Sequence, residues 1–350
     1  MSTCFKNELK DKEKELQKLL AISSDKRTIL NTLENIRINL SKERIPGSVD
    51  ILLEYDYKFL NETSFLWPII KDVANIEEPT IKLPKNNRKF SLKEIIDILH
   101  DFFKNSTSKS IYEIFLKIYN ENKKSIRFIN GDNLSYTGEI IYLEYFKRFY
   151  IMGCIENSIE DIMTFAHEFG HAIQFYLNFN NNLYKELNVY IEIVSIFFEL
   201  ICNEHLLSSF YSDAIINAYD TLGKHLDSAK NLDSELILLR AIKSDNIFEL
   251  RKNIDILLCH LTKEDMNNFM ALKPANDYIY VIAFNIATNL FMIYKEDPEY
   301  AFYLVNKIIS LDLNLSKEDY FKELLSLDVT DIRRPKDYNE LILRRVRELK

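Results

Sequence analysis

From Ile162 to Phe175 the chain runs almost wholly apolar, and its only ionisable side chains are His167, Glu168 and His171. A proline-free apolar segment of this length folds most simply as a buried helix. On a helix the two histidines, at i and i+4, project from one face and can grip a single ion. Glu168 sits beside that pair without being obliged to bind, where a carboxylate can take a proton from a water on the ion. The alternative is a surface helix with a fortuitous histidine pair. It would leave three polar groups in an apolar setting without a partner, which is costly.

Zinc that does chemistry needs a third protein ligand and an open fourth position. Residues 189–202 are almost entirely apolar, and Glu192, Ser195 and Glu199 interrupt them on one helical stripe. A carboxylate in such a helix needs a cation, and zinc is the strongest one within reach. The 21 positions from His171 to Glu192 let the first helix end, turn through Asn178–Asn182 and return. Glu192 is therefore the expected third ligand. Glu199, two turns on, is a candidate to hold a ligand imidazole through its other nitrogen. Ordinary ion pairs with Lys or Arg remain the competing reading for both carboxylates.

Only 6 Gly and 7 Pro in 350 residues argue for long helices. The net charge of −8 excludes nucleic acid as the main partner, since phosphate binding needs a basic face. Four scattered cysteines, Cys4, Cys154, Cys202 and Cys259, read as reduced thiols of a cytoplasmic protein. Neither an N-terminal signal core nor a bilayer-length apolar stretch is legible, so no membrane partner is expected. Segments 6–22 and 26–42 read as a helical hairpin, and Ile45–Trp67 as a helix stopped by Pro68. Ser91 should cap an amphipathic helix with Ile95, Ile96, Ile98 and Leu99 on its apolar side, followed by another helix over Lys109–Asn120 and a charged one over Lys336–Lys350. Residues 125–153, rich in β-branched and aromatic side chains, predict a small antiparallel sheet just before the histidine helix. An exposed edge there could take up an extended peptide, or the strands could only pack the core. His100, His205, His225 and His260 lack metal-spaced companions, and only His205 is near the second ligand helix in sequence.

The stretch Asp161–Gln174, with Thr164, Ala166 and the motif itself, resembles the zinc helix of oligoendopeptidase F and the thimet oligopeptidase family. Glu192-Ile193-Val194-Ser195 and Glu199 resemble that family's second ligand helix. Phe90–Glu94, the Gly138 region and Arg148–Gly153 follow its order of elements, so the resemblance spans roughly residues 50–350. It implies a mainly α fold: a helical zinc-peptidase (gluzincin-type) catalytic domain with a small antiparallel sheet beside the active-site cleft. It also implies unstructured peptides as substrates, and tyrosine hydroxyls that hydrogen-bond the developing oxyanion. Tyr278 and Tyr280 occupy those positions, while Ile282 and Phe284 replace later tyrosines and the histidine expected before them is absent near Asn276.

The expectation is a single catalytic domain over 1–350. Within it 1–45 forms a helical arm, 125–153 the sheet, and 154–350 the ligand helices and C-terminal helical part. Against the family the N-terminal portion is short, implying a more open cleft and a maturation or leader-peptide protease. Zinc is the expected cofactor, one per chain, with a peptide as substrate and the oligomeric state open. The rival readings are a catalytically weak zinc-containing peptide-binding protein, a thermolysin-like hydrolase, and a structural helical protein with an adventitious motif.

Overall fold

The computed structural model describes residues 88–122, 126–129, 138–143, 148–154, 156–178, 191–243, 277–311 and 333–349, with short pieces at 81, 83, 322–324 and 326–327. The expected hairpin arm, the 45–67 helix, Asn180–Asn182, Cys4, Cys259 and His260 lie outside these residues. Two compact units divide the chain, one holding Asn87–Tyr176 and the other Leu177–Lys350.

In the first unit, helix α1 (Leu92–Ser106) begins at Ser91 as expected. The Ser91 hydroxyl accepts the Glu94 N–H and the Glu94 carboxylate accepts the Ser91 N–H, at 3.3 and 2.7 Å. This reciprocal box satisfies two amides that the helix start leaves bare. Ile95, Leu99, Phe102 and Phe103 form its buried face, whereas Ile96 and Ile98, expected on the apolar side, are only half-buried because they flank that face. Helix α2 (Lys109–Asn122) runs two residues beyond the expected end. Its last residue explains why: Asn122 Oδ1 accepts the Phe149 N–H at 2.7 Å, and its Nδ2 donates to the Ile118 carbonyl at 2.7 Å. That one side chain closes the helix and ties it to the sheet. His100 packs edge-on against Phe115 and Tyr119, at 5.0 and 4.6 Å between ring centroids.

The sheet falls where the β-branched run predicts it, as β1 (Ile126–Ile129), β2 (Gly138–Leu143) and β3 (Arg148–Cys154). Its order is β1-β3-β2. The antiparallel pairing expected from the sequence holds for β2 and β3, but β1 runs parallel to β3, so the sheet is mixed. Loop length accounts for the difference. Four residues (144–147) separate β2 from β3, a hairpin distance, whereas eight (130–137) separate β1 from β2 and allow β3 to pair between them.

Helix α3 (Ile159–Leu177) follows. Asn157 takes φ 60°, a left-handed conformation that asparagine tolerates well. Asp161 then accepts the Ser158 and Glu156 N–H groups at 3.0 and 3.3 Å, fixing the helix start. Burial pushes the Asp161 carboxyl above its ordinary value, against the opposing pull of these backbone donors. Ile162, Phe165, Phe169 and Ile173 are fully buried. Phe169 packs on Phe115 and Phe103 at 4.9 and 6.1 Å, the two partners stacking at 4.2 Å. Burial of one such aromatic is worth about 3 kcal/mol.

The second unit is helical: α4 (Ile191–Leu206), α5 (Tyr211–Lys243), α6 (Asp277–Glu296), α7 (Pro298–Ser310) and α8 (Arg333–Glu348). Helix α6 packs against the other four. Both α4 and α6 are apolar nearly all round, as the centre of a bundle requires. Asp297 caps α7 by accepting the Tyr300 N–H at 3.0 Å, with Pro298 at the first helical position. Among the described residues no helix is long and apolar enough to cross a membrane. Cys202 is buried and unbridged, and burial followed by the Glu199 charge raises its thiol well above the ordinary value.

Candidate metal centre

Helix α3 presents its histidine pair as the spacing dictates. The His167 and His171 rings meet edge-on with centroids 4.8 Å apart. His171 is buried and stacks on Phe175 at 6.1 Å, while Phe175 in turn stacks on Phe149 of β3 at 6.5 Å. This aromatic row limits the imidazole's freedom before any ion is considered. Glu168 is 5% exposed, so its carboxylate sits in a largely water-excluded place next to the pair. Gln174, one turn after His171, is buried with both amide atoms lacking a hydrogen-bond partner.

In helix α4 Glu192 occupies the first turn, where the helix dipole favours negative charge. The Ser195 hydroxyl donates to the Glu192 carbonyl at 3.0 Å and lies 3.5 Å from its carboxylate. Glu199 stands seven residues further, about 10 Å along the axis. There its charge, behind burial as the larger cause, raises the Tyr338 hydroxyl far above its ordinary range. His205 closes the same helix, about 20 Å from Glu192 along the axis.

His167, His171 and Glu192 each offer one ligand atom, and the three atoms lie within 4.8 Å of one another. Two imidazoles and one carboxylate are the donor set of catalytic zinc sites with a position left for water. The residues present fit zinc.

The C-terminal tyrosines fall in the first turn of α6. Tyr280 is 41% exposed, and the side chain of Tyr278 lies outside the described residues. Ile282 and Phe284, which replace tyrosines of the resembled pattern, are buried, and Phe284 stacks on His225 at 3.8 Å. Sequence reasoning missed the packing behind Glu168. Gly138 of β2 approaches so closely that a Cβ there would fall 2.7 Å from Glu168 Oε1. From sequence Thr137-Gly138 reads as a turn, but Gly138 is the first residue of β2, and a glycine in a strand often marks close approach of another group.

The chain is similar to a candidate peptidase from Chlamydophila abortus, with TM-score 0.58 and 13% identity over 98% of this chain and 62% of that one. It is also similar to a candidate oligoendopeptidase F from Bacillus anthracis, with TM-score 0.55 and 13% identity over 91% of this chain and 63% of that one. A third similar structure is Pz peptidase A with an inhibitor, with TM-score 0.52 and 13% identity over 95% of this chain and 65% of that one. The chain thus spans just under two thirds of the length of these proteins. No family model and no curated protein matches it. At these identities the likeness is one of architecture, and the chain has the mainly helical, oligoendopeptidase-like fold of these structures.

Proposed function

We propose that this protein is a zinc-dependent peptidase that hydrolyses unstructured peptides. The observation that carries this reading is the donor group of His167, His171 and Glu192 with buried Glu168 beside it. When bound, zinc supplies a Lewis acid that polarises a carbonyl and lowers the pKa of water to about 7.

The chain's own residues do the rest. His167, His171 and Glu192 hold the ion. Glu168 accepts a proton from the attacking water at one carboxylate oxygen and returns it to the leaving nitrogen, so the carboxylate is regenerated each turnover. Its burial keeps competing water away and strengthens its hydrogen bonds. Tyr278 or Tyr280 donates to the oxygen that becomes negative as the carbonyl carbon turns tetrahedral, a contact worth about 3 kcal/mol in comparable sites. Glu199 orients a ligand imidazole. Strand β2 lies at an edge of the sheet and reaches Glu168 through Gly138, which supports taking up an extended peptide by strand addition. In this reading residues 1–350 serve one catalytic domain, the setting is the reducing cytoplasm, and the substrate is a leader or maturation peptide.

The test is a mass-spectrometric cleavage profile over a random peptide pool, with and without chelator. Cleavage that stops on chelation and returns with zinc is expected; cleavage indifferent to chelator would overturn it. A second reading, a zinc-containing peptide-binding protein with little turnover, is favoured by the buried Ile282 and Phe284 where hydroxyls are expected. Stoichiometric zinc without cleavage of any peptide would select it.

A further inference from the structure

Gly138 and Gly153 are direct partners across β2 and β3, which puts both on one face of the sheet. Neither glycine has a positive φ, so backbone conformation does not require glycine at either place. Space does. A methyl on Gly138 would lie 2.6 Å from Thr164 Cγ2, 2.7 Å from Glu168 Oε1 and 3.0 Å from Glu168 Cγ. A methyl on Gly153 would lie 2.5 Å from Phe165 Cζ. The two glycines therefore bring the sheet backbone flat onto the Thr164–Phe165–Glu168 surface of α3, and each serves a different neighbour. Gly153 clears room for an apolar ring, whereas Gly138 clears room for the carboxylate beside the histidine pair.

We propose that Gly138 is the positioning residue for Glu168: the missing side chain leaves the space the carboxylate occupies, and the β2 backbone bounds that space. Thr164 is β-branched and stiff in a helix, so it yields poorly to an added methyl. Glu168 is unbranched at Cβ and so has more rotamers to choose from than Thr164. A methyl at 138 would displace that carboxylate, and its three nearest neighbours belong to Thr164 and Glu168, not to the histidines. The proposal rests on the reading of Glu168 as the proton carrier, but the contact itself can be tested without turnover.

The experiment is a double-mutant cycle on thermal unfolding of the metal-free full chain. Gly138→Ala should lower Tm, and Glu168→Ala should remove about half of that loss, because the contacts with Oε1 and Cγ vanish while the one with Thr164 remains. The loss caused by Gly153→Ala should be the same with or without Glu168→Ala. Equal Gly138→Ala losses in both backgrounds would overturn the proposal. If Gly138→Ala alone does not fold, folding recovered in Gly138→Ala/Glu168→Ala supports it, and failure of both overturns it. In the zinc-loaded chain, Gly138→Ala should keep its zinc and its KM while kcat falls about ten-fold or more, since small misplacements of a reacting group are expensive. Gly153→Ala should keep kcat per folded molecule within about two-fold. Equal falls in kcat for both glycine variants would also overturn it. Failure of the parent reading looks different: Glu168→Gln would turn over normally while the stability coupling between positions 138 and 168 persisted.

Discussion

Glu204 of α4 and Arg345 of α8 form a two-pronged ion pair across 141 residues of sequence, with Nη1–Oε2 2.7 Å and Nη2–Oε1 3.0 Å. Lys295 of α6 bonds the same carboxylate, so one side chain joins three helices of the second unit. Burial pushes the Glu204 carboxyl up, yet the two cations outweigh it and hold the group below its ordinary value of 4.5. A carboxyl lowered by folding adds stability above its unfolded value, and that increment is lost as pH falls through the lowered one. Denaturant midpoints should thus drop as pH falls below about 4.5, and Glu204→Gln should flatten that drop. At pH 7 Glu204→Ala should cost about 3 kcal/mol, because it leaves a mostly buried guanidinium unpaired. Parallel pH profiles for wild type and Glu204→Gln would remove the pair from this role.

The metal should depend on residues from two helices. Elemental analysis of His167→Ala and Glu192→Ala should each show zinc falling from one per chain towards none, since two remaining ligands hold an ion poorly. Full occupancy in either variant would take that residue out of the ligand set.

Glu168→Gln keeps shape and hydrogen bonding but cannot take a proton. Zinc content should stay at one per chain while kcat drops by about 10²- to 10⁴-fold. Retained turnover would mean another base serves the water.

The tyrosines should divide their labour. Two residues apart on a helix they point some way from each other, and Tyr280 is 41% exposed. Tyr278→Phe should lower kcat by about 10²-fold or more with unchanged zinc, and Tyr280→Phe should change it little. Wild-type kcat in both would put the oxyanion donor elsewhere in the chain.

Much of this protein was legible locally. The i, i+4 histidines, the apolar run around them and the Ser91-x-x-Glu94 box are periodic or short-range signals, and short-range geometry follows from a helix alone. The same holds for the β-branched run that became the sheet. The parallel direction of β1 was not legible, because parallel and antiparallel partners need the same residues and differ in how the chain returns.

The sequence by itself determined which residues could bind an ion and on which helices they ride. Only the tertiary structure decided what stands around them. That Gly138 rather than a side chain abuts Glu168, and that Asn122 closes a helix onto Phe149, depend on contacts between segments 30 and 27 residues apart. Glu204 offers the sharpest case. In sequence it is one more acidic residue near a helix end, and nothing local marks Lys295 or Arg345 as its partners. Such pairings arise when helices pack and water is excluded, and the energy that selects them does not exist in the isolated segment.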